Sequence, residues 1–426
     1  MAVINESVTE MNGYRLHVVP TKKYKTNTLI WKMKAPLDQE NVTKRALLPY
    51  VLQSSSAKYS TTTKLRAYLD DLYGALFFVD VAKKGEHHII SFSIEIANEI
   101  FLKDKTPLLR KAFEFLAEVL TKPNAKKKAF DQETVNKEKR TLKQRIQSIN
   151  DDKIRYSNFR LIEEMCNGES YALNVNGRIE DIDHINEVSL YEYFEKAFSE
   201  DEMDLYVVGD VDENEVKVLT NELLQFKPRT VKESNKQMIK RRAEVQEVKE
   251  VQDVKQGKLH IGYRTNILYG DQQYFHLQVF NGIFGGFSHS KLFINVREKA
   301  SLAYYATSRI ESHKGLLMVM SGIDIKNYHQ AVTIIREQME AMRNGDFTDD
   351  EISQTKAVIK NQMLETIDIV RGIVEVFYHN VVSKSSLNLD DWLKEINSVT
   401  REEIVNVAKK IDLDTIYFLT GTEAGE

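Results

Sequence analysis

Two rhythms of apolar residues alternate along the chain. HHIISFSIEI (87–96) and GLLMVMSGID (315–324) are short apolar runs with β-branched residues, and each predicts a strand. TPLLRKAFEFLAEVL (106–120) places its apolar residues three and four apart, which predicts an amphipathic helix. FDQETVNKEKRTLKQRI (130–146) opens with Asp131 as an N-cap and Glu133 in the first turn, while FTDDEISQTKAVIKNQML (347–364) opens with Thr348 followed by acids. MDLYVVGD (203–210) and DTIYFLTG (414–421) are apolar strands, each preceded by a helical stretch.

These elements come in similar pairs, and the pairs keep their order. The block beginning KLRAYLDDLYGALFF at Lys64 lies on the block beginning KLFINVREKASLAYY at Lys291, an offset of 227. Phe130 matches Phe347 at an offset of 217, and Ile185 matches Ile396 at 211. Three ordered matches predict an internal duplication with loops shortened in the second copy. The predicted architecture is two homologous α/β domains, 1–226 and 245–426, joined by a charged linker at 227–244. All six prolines fall at or before Pro228, an asymmetry that no feature of the sequence explains.

Composition narrows the class. The 426 residues are 42% hydrophobic and 29% charged, which fits a globular chain and excludes wholesale disorder. A net charge of −4 does not point to nucleic acid. The basic stretch from Phe226 to Lys258 has no interleaved aromatics for base stacking, so it reads as a solvated linker. No apolar run approaches the roughly 20 residues that span a bilayer. The N-terminal MAVINESVTEMNG is mixed and partly acidic, unlike a leader, so a cytoplasmic location is expected. The single cysteine, Cys166 in EEMCNGES, excludes a disulfide framework and reads as a structural thiol.

The string FNGIFGGFSHSKLFINVREKASLAYYATS (280–308) closely resembles the signature of the M16 peptidases, the pitrilysin and mitochondrial-processing-peptidase-like family. The two homologous halves, the linker and the strand ending in VVGDVD agree, so the resemblance covers almost the whole chain. It implies α/β (α+β) domains of the LuxS/MPP-like αβ-roll type, facing each other as a clamshell about a peptide channel. In active members of the family a helix of the first half carries H-x-x-E-H. Its two histidines bind zinc, its glutamate is the general base, and a downstream glutamate is the third ligand.

Aligned through LDDLYGALFF, that helix falls on KRALLPYVLQSSS. The first histidine position is then Leu47, the base Tyr50 and the second histidine Val51; a shift of one residue gives Ala46, Pro49 and Tyr50. Pro49 would kink the helix or start it. The third ligand falls on Gln144 or Arg145 in KEKRTLKQRIQ. The metal ligands are absent, so no cofactor is expected, and the chain is not expected to be active alone.

Ten histidines raise the question of a relocated site, but no two are spaced at i+3 or i+4. HINEV at His184 reads as a turn before a helix, and His87-His88 as a solvated hairpin turn. What remains of the family's equipment is in the second half. Arg297 and Tyr304 match residues that hold peptide and stabilise the attacked carbonyl, a role suited to guanidinium and phenol donors. The alternative places Arg297 in a pair with Glu298 and Tyr304 in the core. Gly285 and Gly286 match a glycine-rich substrate loop, or form a tight turn with φ > 0. Leu76 to Val79 resemble an edge strand on which peptide adds.

The tracts RALLPYVLQS and KLRAYLDDLYGA resemble the bacterial inactive type found beside an active M16 partner. The resemblance thus implies a non-catalytic, peptide-binding subunit paired with an H-x-x-E-H homologue, or self-associating, with no nucleic acid and no membrane. The alternatives are a zinc peptidase with displaced ligands and a purely structural homologue.

Overall fold

A computed structural model describes residues 5–104, 106–229 and 244–421. Most of the linker expected at 227–244 lies outside the described residues. Each half builds one mixed sheet covered by helices. In the first, strands lie in the order Ser7–Met11, Tyr14–Pro20, Glu202–Gly209, Thr26–Pro36, His87–Ala97 and Leu76–Lys84. In the second, the order is Gln246–Val251, Asp412–Thr420, Gly257–Arg264, Leu316–Ile323 and Ala303–Glu311.

The two orders are the same once Ser7–Met11 is set aside. The single parallel pair also falls in the same place, Tyr14–Pro20 with Glu202–Gly209 and Gln246–Val251 with Asp412–Thr420. The duplication read from apolar blocks is therefore a duplication of topology. The extra strand of the first sheet is a hairpin addition, turned at Asn12-Gly13 with Gly13 at φ +87°.

Helices pack on the main-core face of each sheet, as their periodicity requires. Helix Leu108–Thr121 buries Leu109, Ala112, Phe113, Leu116 and Leu120 in the first core. The predicted caps are formed. Asp131 accepts from the Thr134 amide at 2.9 Å, and Thr348 and Glu351 close a reciprocal capping box. Pro49, in contrast, neither starts nor ends its helix, which runs from Val42 to Ser54 through it. The proline cannot donate to the Arg45 carbonyl. The helix persists because most of its residues are buried and because the Arg45 side chain pins it to the sheet. That guanidinium, fully buried, meets Asp201 at 2.6 Å, Tyr193 at 3.1 Å and the carbonyls of Met33 and His88.

The chain does not divide cleanly at residue 226. One compact unit is Met1–Ser148 with Leu173–Lys236; the other is Ile149–Ala172 with Gln237–Glu426. The segment 149–172 thus belongs by sequence to the first half and by packing to the second. Its helix, Lys153–Met165, lays Leu161, Ile162 and Met165 on Leu316, Met318, Tyr417 and Leu419 of the second sheet, on the face away from the main core. A buried ion cluster reinforces this seat. Glu169 binds Arg264 at 2.8 Å and Lys314 at 2.6 Å, and Arg264 also meets Asp414 at 3.0 Å.

Candidate functional site

The helix Val42–Ser54 lies against the helix Gln132–Gln147 and the edge strand Leu76–Lys84. Leu47 and Val51 point into the first core and are buried, together with Ala46, Leu48 and Leu52. They are packing residues with no donor atom. Tyr50 is half-buried on the side facing the second helix. There the Arg145 guanidinium lies 3.8 Å from the Tyr50 ring centroid, a close cation–π stack. Burial pushes the Tyr50 phenol up, with Arg145 pulling against it and Asp80 and Glu138 adding to the rise. Glu138, about two turns earlier on the same helix face, is buried and accepts from Ser54 Oγ at 2.7 Å.

Gln144 is not part of this group; it is exposed on the outer side of its helix. The residue brought to Tyr50 is its neighbour Arg145. One residue is about 100° around a helix, which is enough to exchange the facing side chain. At these positions, then, stand two buried aliphatic groups, a phenol and a guanidinium. They do not fit a zinc ion, for they offer no imidazole or carboxylate, and the one charge present has the metal's own sign. Among the described residues no group of three or more His, Cys, Asp or Glu is placed to hold a metal.

The second-half residues stand differently. Arg297 lies in the last turn of a π-helical segment, Phe293–Lys299, and is exposed, with its guanidinium 4.6 Å from the Phe293 ring centroid. Tyr304 is 76% exposed. It is the extra residue of a β-bulge, since Ala303 pairs with Ile323 and Tyr305 with Gly322. A bulge re-aims the side chain that it carries. The strand, Ala303–Glu311, is an edge of its sheet. Neither Arg297 pairing with Glu298 nor Tyr304 packing in the core describes what is seen. Leu76–Lys84 is likewise an edge, pairing among the described residues only with His87–Ala97.

Gly285 and Gly286 do not form an exposed turn with φ > 0. They end a π-helical turn, Gly282–Gly286, and neither has positive φ. Gly285 is buried for packing, since a Cβ there would meet Ser308 Oγ at 2.5 Å and Leu292 Cδ1 at 2.6 Å. Thr307 Oγ1 also donates to its carbonyl at 3.0 Å. Gly285 serves close approach of helix to strand and has no surface to offer a peptide, while a Cβ at Gly286 would meet Asn281 of its own turn at 2.9 Å.

The histidines sort into structural roles. His184 is exposed in the turn before helix Glu187–Glu200, as expected. His88 is not solvated. It pairs in the sheet with Ala35 and Lys83, on the same face as Ile90 and Phe92, and is fully buried. Burial, with Arg45 and Lys83 adding, holds its pKa well below the ordinary value and keeps the ring neutral. Cys166 is buried in the cluster under helix Lys153–Met165. One pair was invisible to spacing: His313 Nε2 and His379 Nδ1 are 2.6 Å apart, with nearly coplanar rings and Tyr269 stacked beside both. These two are 66 residues apart in sequence.

Comparison with known proteins gives the family. Residues 184–359 match the family described as the peptidase M16 inactive domain. The chain is 54% identical over 423 residues to a probable inactive metalloprotease, YmfF, of Bacillus subtilis strain 168, covering 99% of each. Its fold superposes on a conserved protein of Enterococcus faecalis V583 with a TM-score of 0.91 at 39% identity, covering 99% of this chain and all of that one. A peptidase M16 inactive domain from Pseudomonas fluorescens has a TM-score of 0.80 at 17% identity, over 99% of each chain. The chain belongs to the M16 peptidase family. Within it, it is an inactive metallopeptidase homologue, and no helix among its described residues is long and apolar enough to cross a membrane.

Proposed function

We propose that this protein is the peptide-binding, non-catalytic subunit of an M16 peptidase pair, working beside an active H-x-x-E-H homologue in the cytoplasm. The observation that carries the reading is the contrast between the two half-sites. Leu47, Tyr50, Val51 and Arg145 have turned the hydrolytic position into packing, while Arg297 and Tyr304 stay exposed on or beside an edge strand. Exposed phenol and guanidinium groups donate to peptide carbonyls, and edge strands accept an added strand through backbone groups alone, with no need of zinc.

The test has two arms. Affinity capture from the native host, with this chain as bait, is expected to recover an H-x-x-E-H homologue. Recovery of this chain alone removes the heteromeric part of the reading. Peptide binding by the purified chain or pair is expected to weaken with Arg297→Ala and Tyr304→Ala. Binding that is absent, or untouched by both changes, leaves a structural homologue in its place.

A further inference from the structure

The helix Lys153–Met165 rests on the second sheet through two unlike surfaces. Its C-terminal end is closely packed and locked. Gly262 lies under it so closely that a Cβ would meet Met165 Sδ at 2.6 Å and Leu161 Cδ1 at 3.4 Å. Arg264, two residues on, donates to the Met165 carbonyl at 2.6 Å and binds Glu169. Helix and strand run in the same sense here, because Leu161 and Met165 follow Gly262 and Arg264. Four helical residues advance about 6 Å and two strand residues about 6.6 Å, so the two stay in step.

One turn earlier, the inward positions of the helix are Ser157 and Asn158, and the strand residue in step with them is His260. Next along the same face is Lys258, which pairs with Gly322. The ring of Tyr305 lies over Gly322, where a Cβ would meet Tyr305 Cε1 at 2.5 Å, and the Lys258 ammonium is 5.9 Å from that ring's centroid. Ser157 and His260 are completely buried. Ser157 Oγ, Asn158 Oδ1, both ring nitrogens of His260 and the Tyr305 hydroxyl are buried with no protein hydrogen-bond partner.

Five such atoms on facing surfaces would each carry a desolvation cost if nothing met them, and native interiors rarely leave such groups unmet. Burial keeps His260 neutral, its pKa falling to about 3. The set therefore offers a hydroxyl, a phenol and an imidazole that each donate and accept, plus one further acceptor. Lys258 is engaged by Gln256 at 2.5 Å. That inventory suits a small neutral molecule with two donors and two acceptors. We infer that ordered water molecules occupy the N-terminal half of this seat, bridging His260 to Ser157, Asn158 and Tyr305, and make it the soft end of the helix. Such water belongs to the structure and is costly to displace.

A crystal structure of the full chain at about 1.8 Å or better tests this directly. Solvent peaks within about 3.2 Å of the His260 nitrogens and Ser157 Oγ are expected. Direct protein contacts to those atoms, or density for a larger molecule, would overturn the inference. Hydrogen exchange gives a second measure: the amides of 157–160 should exchange faster than those of 162–165, and equal rates count against a soft end. Finally, His260→Leu should lower the melting temperature by several degrees, because it strips the water of a partner. A higher melting temperature would mean that the histidine had been an unsolvated burden.

Discussion

The guanidinium of Arg145 lies 3.8 Å from the ring centroid of Tyr50, joining the position that aligns with the family's general base to the helix that aligns with its third ligand. This stack would itself oppose a metal, because it puts a permanent positive charge beside the positions that align with the family's zinc ligands. The triple change Leu47→His, Tyr50→Glu and Val51→His should therefore fail to bind zinc stoichiometrically. Adding Arg145→Glu removes the repulsion and supplies a carboxylate, so metal analysis should then find about one zinc per chain. Zinc in the triple variant, or none in the folded fourfold variant, would show that Arg145 is not the obstacle.

The segment 149–172 is anchored in the second unit by Glu169, whose carboxylate is shared by Arg264 and Lys314. All three are buried, so removing the acid takes from Arg264 and Lys314 the carboxylate they share and leaves Asp414 to face Arg264 alone. Glu169→Ala should cost about 3–5 kcal/mol in urea unfolding. The exposed pair Arg110–Glu222, at 2.8 Å, is a control, and Glu222→Ala should leave the midpoint essentially unchanged.

Arg297 and Tyr304 make the opposite prediction about stability. Both are exposed, so Arg297→Ala and Tyr304→Ala should leave the unfolding midpoint within error of the parent chain. If they bind peptide as proposed, each loses a hydrogen bond worth about 1–1.5 kcal/mol, which is roughly a tenfold weaker affinity by titration. A lowered midpoint would mean that their role is structural.

Much of the fold could be read from the chain because duplication leaves a double record. Apolar strand blocks keep their spacing and helix caps keep their chemistry, as at Asp131 and Thr348. What could not be read depends on partners distant in sequence. The apolar face of helix Lys153–Met165 announces that something covers it, but a periodic stripe does not say which of two similar sheets. Gln144 and Arg145 could not be separated by alignment, since one residue of register decides which faces Tyr50. Gly285 and Gly286 suggested a loop because paired glycines permit φ > 0; here Gly285 admits Ser308 and Leu292, and Gly286 lies against Asn281. His88 read as turn because lysines and a glycine precede it, while strand alternation carries it into the core.

His17 offers a pH test with a definite sign. It is buried between two carboxylates, with Nε2 2.9 Å from Asp204 Oδ1 and Nδ1 beside Glu6, and it stacks on Tyr206 at 4.2 Å. Burial opposes its charge, but the hydrogen bonds and charges of Asp204 and Glu6 outweigh it, so its pKa is raised above 6.5. A histidine whose folded pKa exceeds its unfolded one binds its proton more tightly when folded. The stabilisation is therefore complete below the unfolded value and lost as pH rises through the folded value, with a slope of at most about 1.4 kcal/mol per pH unit. The advantage of the parent chain over His17→Asn, measured by urea unfolding, should be largest at pH 6 and shrink steadily toward pH 9. An advantage that grows with pH would mean that His17 is held neutral, with Asp204 satisfied by Arg15 at 2.8 Å instead.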